Sequence, residues 1–131
     1  MATIDLNYDS FKQHVESEGM ILVDFWASWC GPCRAFAPTY SAASDKHPDV
    51  VFGKVDTEAQ QDLAAHFKIQ SIPTLMVFRD QVLLFQQAGA LPPDALEEVI
   101  TRCKELDMDD VKRQIAEHEA QATSADEAPQ S

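Results

Sequence analysis

Ile21-Leu22-Val23-Asp24-Phe25-Trp26-Ala27 runs directly into Ser28-Trp29-Cys30-Gly31-Pro32-Cys33. The first seven residues are apolar but for Asp24, rich in β-branched and aromatic side chains, and of strand length. They read as a strand covered on both faces. Pro32 suits a helix start, because an N–H in the first turn has no intrahelical acceptor to lose. The two cysteines therefore fall at a strand-to-helix junction. The helix reads from Cys33 to Lys46, with Pro38 inside it predicting a kink.

Two cysteines separated by two residues can close a small disulfide ring without gross backbone movement. A Cys30 placed just before the first helical turn faces orphan N–H groups and the positive end of the helix dipole, which favour thiolate over thiol. Cys33, further into the helix, is expected to be the more enclosed sulfur and the resolving one. The competing use of such a pair is half of a zinc site, which needs two further ligands. No second cysteine pair exists, and His14, His47, His66 and His118 are scattered. The pair reads as a redox dithiol with no metal.

Strand and helix patterns alternate outward from this junction. Asn7 or Asp9 can cap a short helix through Glu18, with Phe11 and Val15 on one face. Val50–Val55 reads as a strand and Gln60–Phe67 as a helix. Thr74–Phe78 and Val82–Phe85 read as antiparallel strands joined at Arg79-Asp80-Gln81. Pro92-Pro93-Asp94 opens a helix to about Leu106, with Leu96, Val99, Ile100 and Cys103 on one face. A mixed sheet with helices on both faces makes the class α/β.

The chain of 131 residues carries 10 basic and 22 acidic side chains, a formal net charge of −12. That balance argues against nucleic acid or an anionic membrane as partner, since both are held by clustered Lys and Arg. The beginning of the sequence shows no basic, apolar, small-residue series of an export signal. Three cysteines are too few and too odd in number for a secreted disulfide framework. A reducing, cytoplasmic setting is expected.

The dithiol segment, Val23 to Arg34 followed by Ala37-Pro38, resembles the active-site segment of the thioredoxin family. The likeness continues through Gly53-Lys54-Val55-Asp56, Ile72-Pro73-Thr74 and Gly89-Ala90-Leu91, in the family's order and spacing, over roughly residues 3–106. The resemblance implies the thioredoxin fold: a central mixed five-stranded sheet flanked by four helices, here with an extra C-terminal helix. It implies a protein-disulfide reductase with Cys30 attacking and Cys33 resolving. Asp24 would be a buried base that relays the Cys33 proton, its charged form disfavoured by desolvation; a solvent-facing carboxylate is the other reading. Lys54 would approach Asp24 from the next strand, or be a plain surface lysine. Pro73 would be a cis-proline leaving the backbone of Ile72 free for an incoming polypeptide; a trans turn is the alternative. Trp29, Gly31, Pro32, Ile72, Gly89 and Ala90 would form an apolar patch around the sulfur, unless Trp29 is ordinary core. The resemblance further implies no bound cofactor, recycling by an NADPH-fed thioredoxin reductase, disulfide-bearing protein substrates, and a monomer. A second function stays open: a redox-sensitive adaptor or chaperone-like module, binding through that patch or through the C-terminal helix.

Two stretches depart from the family pattern. The hairpin at Arg79-Asp80-Gln81-Val82 lacks the usual glycine, which predicts a longer turn or one of another type. After Leu106 comes an extension. Residues 1–103 carry 7 basic and 14 acidic side chains and residues 104–131 carry 3 and 8, so negative charge is denser at the end. Asp107 can cap a helix from Met108, with Met108, Val111, Ile115 and His118 forming one narrow apolar stripe. Three segments are expected: a domain over 1–106, an acidic amphipathic helix over 107–121, and a disordered tail over 122–131. The helix reads as packed on the domain or extending the previous helix, as a partner-binding helix, or as disordered. Cys103 reads as a part-buried inert thiol, with a regulatory or dimer-forming role as the alternative.

Overall fold

The computed structural model describes residues 3–127. In chain order the elements are β1 (Thr3–Asp5), α1 (Tyr8–Glu16), β2 (Met20–Trp26), α2 (Gly31–Lys46), β3 (Val51–Asp56), α3 (Gln61–His66), β4 (Thr74–Arg79), β5 (Val82–Ala88), α4 (Pro93–Glu105) and α5 (Met108–Glu127). The sheet has five strands in the order β1-β3-β2-β4-β5. β1, β3 and β2 run parallel, β4 runs antiparallel to β2, and β5 antiparallel to β4. The expected mixed sheet is present. Its fifth strand, the three-residue β1, is too short for periodicity to mark.

Alternation along the strands sorts the core into two layers. Leu22, Phe52, Leu75 and Val77 face one side and pack with Phe36 and Tyr40 of α2 and Leu96 and Ile100 of α4. Ile21, Val23, Phe25, Val55 and Met76 face the other, with Phe11 of α1 and Leu63 of α3. Burying each of these large side chains contributes roughly 1.5–3 kcal/mol, so the layers hold β2 rigidly at the centre. Asp24 shares the even-numbered face of Leu22, beneath α2. Gly53 lets the structure close tightly: a Cβ there would collide with Leu6, and its carbonyl accepts from the Tyr40 hydroxyl at 2.8 Å.

Local chemistry sets the helix ends. Asn7 caps α1, its side chain accepting from the Ser10 N–H at 2.8 Å while Ser10 Oγ accepts from the Asn7 N–H at 2.9 Å. At the other end of the molecule, Nη1 of Arg79 donates to the carbonyls of Cys103, Lys104 and Leu106 at 2.8, 3.1 and 2.8 Å. Those are the orphan acceptors that end α4. Beside them His47 meets Glu97 at 2.8 Å and Lys104 meets Asp49 at 3.0 Å, joining the end of α2 to α4. Cys103 is buried in the α2–α4 layer, where desolvation pushes its thiol pKa up against the opposing pull of Arg79.

The glycine-free hairpin is not lengthened; it is a tight turn with left-handed residues other than glycine. Arg79 pairs with Val82, leaving a two-residue turn in which Asp80 and Gln81 both take left-handed backbones, φ 50° and 74°. Two positive φ values are what a primed hairpin turn requires. The strain is answered by tethers: Asp80 Oδ1 accepts from the Gly19 N–H at 2.8 Å, and Gln81 Nε2 donates to the Glu16 carbonyl at 2.6 Å. Sequence reasoning missed this because the partners lie more than sixty residues away.

Asp107 caps α5, its Oδ1 accepting from the N–H groups of Asp109 and Asp110 at 3.1 and 3.2 Å. Met108 is buried and Val111 half-buried, while Lys112 through Gln121 are all exposed. The helix runs on to Glu127, into the stretch expected as tail, whose residues 128–131 lie outside the described residues.

Candidate active site

β2 delivers the chain to the mouth of the site at Trp26, and the next residues turn into α2. Cys30 is the N-cap of α2, extended at φ −84° and ψ 113°, and its Sγ accepts from the Cys33 N–H at 3.1 Å. An N-terminal N–H aimed at sulfur stabilises the thiolate over the thiol. Cys30 and Cys33 are joined as a disulfide, with Cα atoms 5.2 Å apart. Enclosure does not separate them as expected: Cys30 is 4% exposed and Cys33 3%. Both sit in one small cluster with Ala27, lined by Trp26 and Ile72, so Cys30 is covered from the side by the 72–73 loop. What distinguishes the sulfurs is the N–H directed at Cys30.

The 72–73 loop forms the opposite wall. The Ile72–Pro73 peptide is cis. The Ile72 carbonyl lies 3.7 Å from Cys30 Sγ, and among the described residues no backbone carbonyl accepts from the Ile72 N–H. The Pro73 carbonyl accepts from the Gly89 N–H at 2.7 Å, and Gly89 takes φ 102°, a left-handed backbone that glycine adopts without penalty. That bond holds the Gly89-Ala90 loop against the Ile72-Pro73 loop. Gly31, Pro32, Gly89 and Ala90 are exposed around the disulfide, with Ile72 half-buried.

Trp29 is 65% exposed, which removes the core reading. Its Nε1 donates to Glu58 Oε1. Sequence reasoning missed Glu58, whose position depends on the loop after β3. Thr57 donates twice to the Trp26 carbonyl, from N–H at 2.8 Å and Oγ1 at 3.0 Å, and Asp56 Oδ1 accepts from the Glu58 N–H at 2.9 Å. The Asp56-Thr57-Glu58 order, acceptor then hydroxyl, was the only available signal. Arg34 Nη1 donates to the Ser28 carbonyl at 3.1 Å and ties the loop before Cys30 to α2.

Asp24 is 1% exposed, which removes its solvent-facing reading. Burial pushes its carboxyl up to about 7, and the Lys54 ammonium pulls it partly back. Neither carboxylate oxygen has a hydrogen-bond partner among the described residues. Lys54 stands beside Asp24 in the β2–β3 register, half-buried, with its Nζ 4.6 Å from the Trp26 ring centroid. A buried carboxyl that titrates near neutrality can take and return a proton at working pH. Among the described residues no group of three or more His, Cys, Asp or Glu could hold a metal ion. Nor is any described helix long and apolar enough to cross a membrane.

Comparison with known proteins follows the same outline. The sequence model of the Thioredoxin family matches residues 2–102. The putative thioredoxin 2 of Streptomyces coelicolor is 53% identical over 121 residues, covering 92% of this chain and 90% of that one. A match of that extent in this chain runs at least to Gln121, along most of α5. The thioredoxin of Bacillus subtilis is 35% identical over 103 residues, covering 78% of this chain and 98% of its own. Among solved structures, Malassezia sympodialis thioredoxin superposes with a TM-score of 0.71 at 32% identity, covering 78% of this chain and 93% of that one. Plasmodium falciparum thioredoxin gives 0.70 at 30%, covering 76% and 97%.

Proposed function

The chain belongs to the thioredoxin family and is a thiol–disulfide oxidoreductase, a protein-disulfide reductase; on that premise we propose that Cys30 attacks and Cys33 resolves. The observation that carries this assignment is Cys30 Sγ at the N-terminus of α2, accepting the Cys33 N–H. The Cys30 thiolate attacks one sulfur of a substrate disulfide, forming a mixed disulfide and expelling the other substrate sulfur as a thiolate. Cys33, giving its proton to Asp24, then attacks Cys30 Sγ, and the second substrate thiolate departs. Two electrons have moved from the dithiol to the substrate, and the protein is left with the Cys30–Cys33 disulfide. Burial of Asp24, with a carboxyl titrating near 7, supports its role as that base, and Lys54 tunes it.

Trp29, Ile72, Gly89 and Ala90, with the buried Pro73 behind Ile72, are what we assign to the incoming polypeptide, with Gly31 and Pro32 exposed beside the sulfurs. The Ile72 N–H, free of backbone acceptors among the described residues, supports strand-like pairing with substrate there. We assign the reductive half-cycle to residues 1–106 as one domain and residues 107–121 to a separate acidic helix, whose backbone continues as α5 to Glu127 in place of the first part of the expected 122–131 tail. Regeneration falls to an NADPH-dependent thioredoxin reductase, with the protein acting as a monomer in a reducing, cytoplasmic setting. The odd count of three cysteines supports that setting. Mixing the protein with a cognate reductase, NADPH and insulin tests the cycle. NADPH consumption above the reductase-only control is expected, and Cys30→Ser abolishes it; no consumption above control would refute the assignment.

A further inference from the structure

We propose that Trp26 is a positioning residue of the proton relay: the face of its indole holds the Lys54 ammonium away from Asp24, so the carboxyl keeps no direct ion partner. The inference rests on the role proposed above for Asp24 as the base that serves Cys33. Asp24 and Trp26 lie two apart on β2 and so share one face of it, and Lys54 stands beside Asp24 in the β2–β3 register. A buried carboxylate with a cation in reach is ordinarily paired with it. Here Lys54 Nζ lies 4.6 Å from the Trp26 ring centroid, and neither Asp24 oxygen has a hydrogen-bond partner among the described residues. Of the aromatic side chains, tryptophan offers a cation the most favourable face.

The indole itself carries a sign of this role. Its Nε1 is buried with no hydrogen-bond partner among the described residues, although a buried tryptophan usually finds one. An aliphatic side chain would pack here without that orphan donor, so packing alone does not account for an indole. The ring also reaches the site, against the cluster of Ala27, Cys30 and Cys33. The backbone at Trp26 is fixed separately, by pairing with β3 and by Thr57, whose N–H and Oγ1 donate to the Trp26 carbonyl at 2.8 and 3.0 Å. The side chain can therefore be changed with the strand held in place.

The other groups around Asp24 do not replace the ring. From α2, Tyr40 is buried with its hydroxyl donating to the Gly53 carbonyl at 2.8 Å. Burial and the nearby Asp24 charge keep that hydroxyl protonated well above pH 10. The start of α2 brings Cys30 and Cys33, joined as the disulfide. From β4 the register partner is Leu75, which carries no charge. Arg34 and Asp45 line the surface cavity that Lys54 borders, and both are unaltered in every variant below. Lys54 is the cation that pulls the Asp24 carboxyl down against burial.

The test is a double-mutant cycle, read by carbon-13 NMR of the Asp24 carboxyl in the intact oxidised protein and assigned by its loss in Asp24→Asn. The unsubstituted carboxyl is expected to titrate near 7. Trp26→Leu releases the ammonium onto Asp24 and lowers the midpoint by about one pH unit, tenfold in proton affinity. Trp26→Phe keeps a weaker ring face and lowers it less. Lys54→Met raises the midpoint, and adding either Trp26 change to Lys54→Met moves it no further. A shift from Trp26→Leu that survives alongside Lys54→Met would mean that lost packing or admitted water acts on Asp24, and would overturn the proposal. An unmoved midpoint in Trp26→Leu would overturn it too. If Trp26→Leu does not fold, Trp26→Phe with and without Lys54→Met decides by the same criterion. Failure of the base assignment has a different signature: the midpoints move as expected while the pH profile of mixed-disulfide resolution does not follow them, which would end the role of Trp26 in the relay as well.

Discussion

The two ends of the sheet treat polar groups in opposite ways. At the Met20–Arg79 end, strain and orphan groups are answered. Left-handed Asp80 and Gln81 are tethered to Gly19 and Glu16, the last carbonyls of α4 converge on Arg79, and Lys104 pairs with Asp49. One oxygen of Glu97 is the exception. At the Trp26–Thr74 end, Asp24 is buried with both oxygens unpartnered, as is Trp26 Nε1, and the Ile72 N–H has no backbone acceptor among the described residues. The sheet supplies the same frame to both. An unpaired buried carboxylate costs stability and titrates near pH 7, which suits the proton-relay role proposed for Asp24, while the other end secures the fold.

Removing the unpaired charge is the strongest way to break this contrast. Asp24 binds its proton more tightly folded, near 7, than unfolded, near 3.8. The native state therefore holds the extra proton between those values, and its stability falls as pH rises through them. Asp24→Asn is expected to stabilise the protein at pH 8 by on the order of 3–4 kcal/mol, with little gain near pH 4. The same variant slows resolution of the mixed disulfide. Urea denaturation at the two pH values, and release of trapped substrate, measure these effects. An equal change at both pH values would mean that Asp24 titrates normally.

Arg79→Ala tests the other end and has the opposite sign. Three carbonyls lose a charged donor, and destabilisation of about 2–3 kcal/mol is expected, with insulin turnover unchanged where the protein is folded. Asp80→Ala leaves a residue with no tether at φ 50°, a loss of about 1–2 kcal/mol in the same denaturation assay, again with unchanged turnover. If either variant slowed disulfide reduction in step with its stability loss, the division between the two ends would fail.

How legible each end was depends on how local its determinants are. The apolar run Ile21–Ala27, the Cys30–Cys33 spacing and Pro32 are neighbours in sequence and announce a strand, a helix start and a dithiol together. The burial of Asp24 was indicated by the family resemblance alone, since an acidic residue inside an apolar run could also have faced solvent; the structure decides for burial. Glu58 and the Asp80-Gln81 turn were not readable. Each depends on groups brought close only by folding: Glu58 on Trp29, Asp80 on Gly19, Gln81 on Glu16. The near-equal enclosure of the two sulfurs had the same origin, since the cover over Cys30 comes from Ile72. For α5 the sequence indicated a helix and a stripe, while exposure from Lys112 onward became visible only in three dimensions.

A single-turnover experiment reaches the dithiol chemistry without any reductase. Reduced protein mixed with insulin in the absence of other thiols should break one insulin disulfide for each chain oxidised. Mass spectrometry should find the new bond between Cys30 and Cys33, and Cys30→Ser should break none. Insulin left intact while both thiols stay free, or undiminished cleavage by Cys30→Ser, would contradict the account.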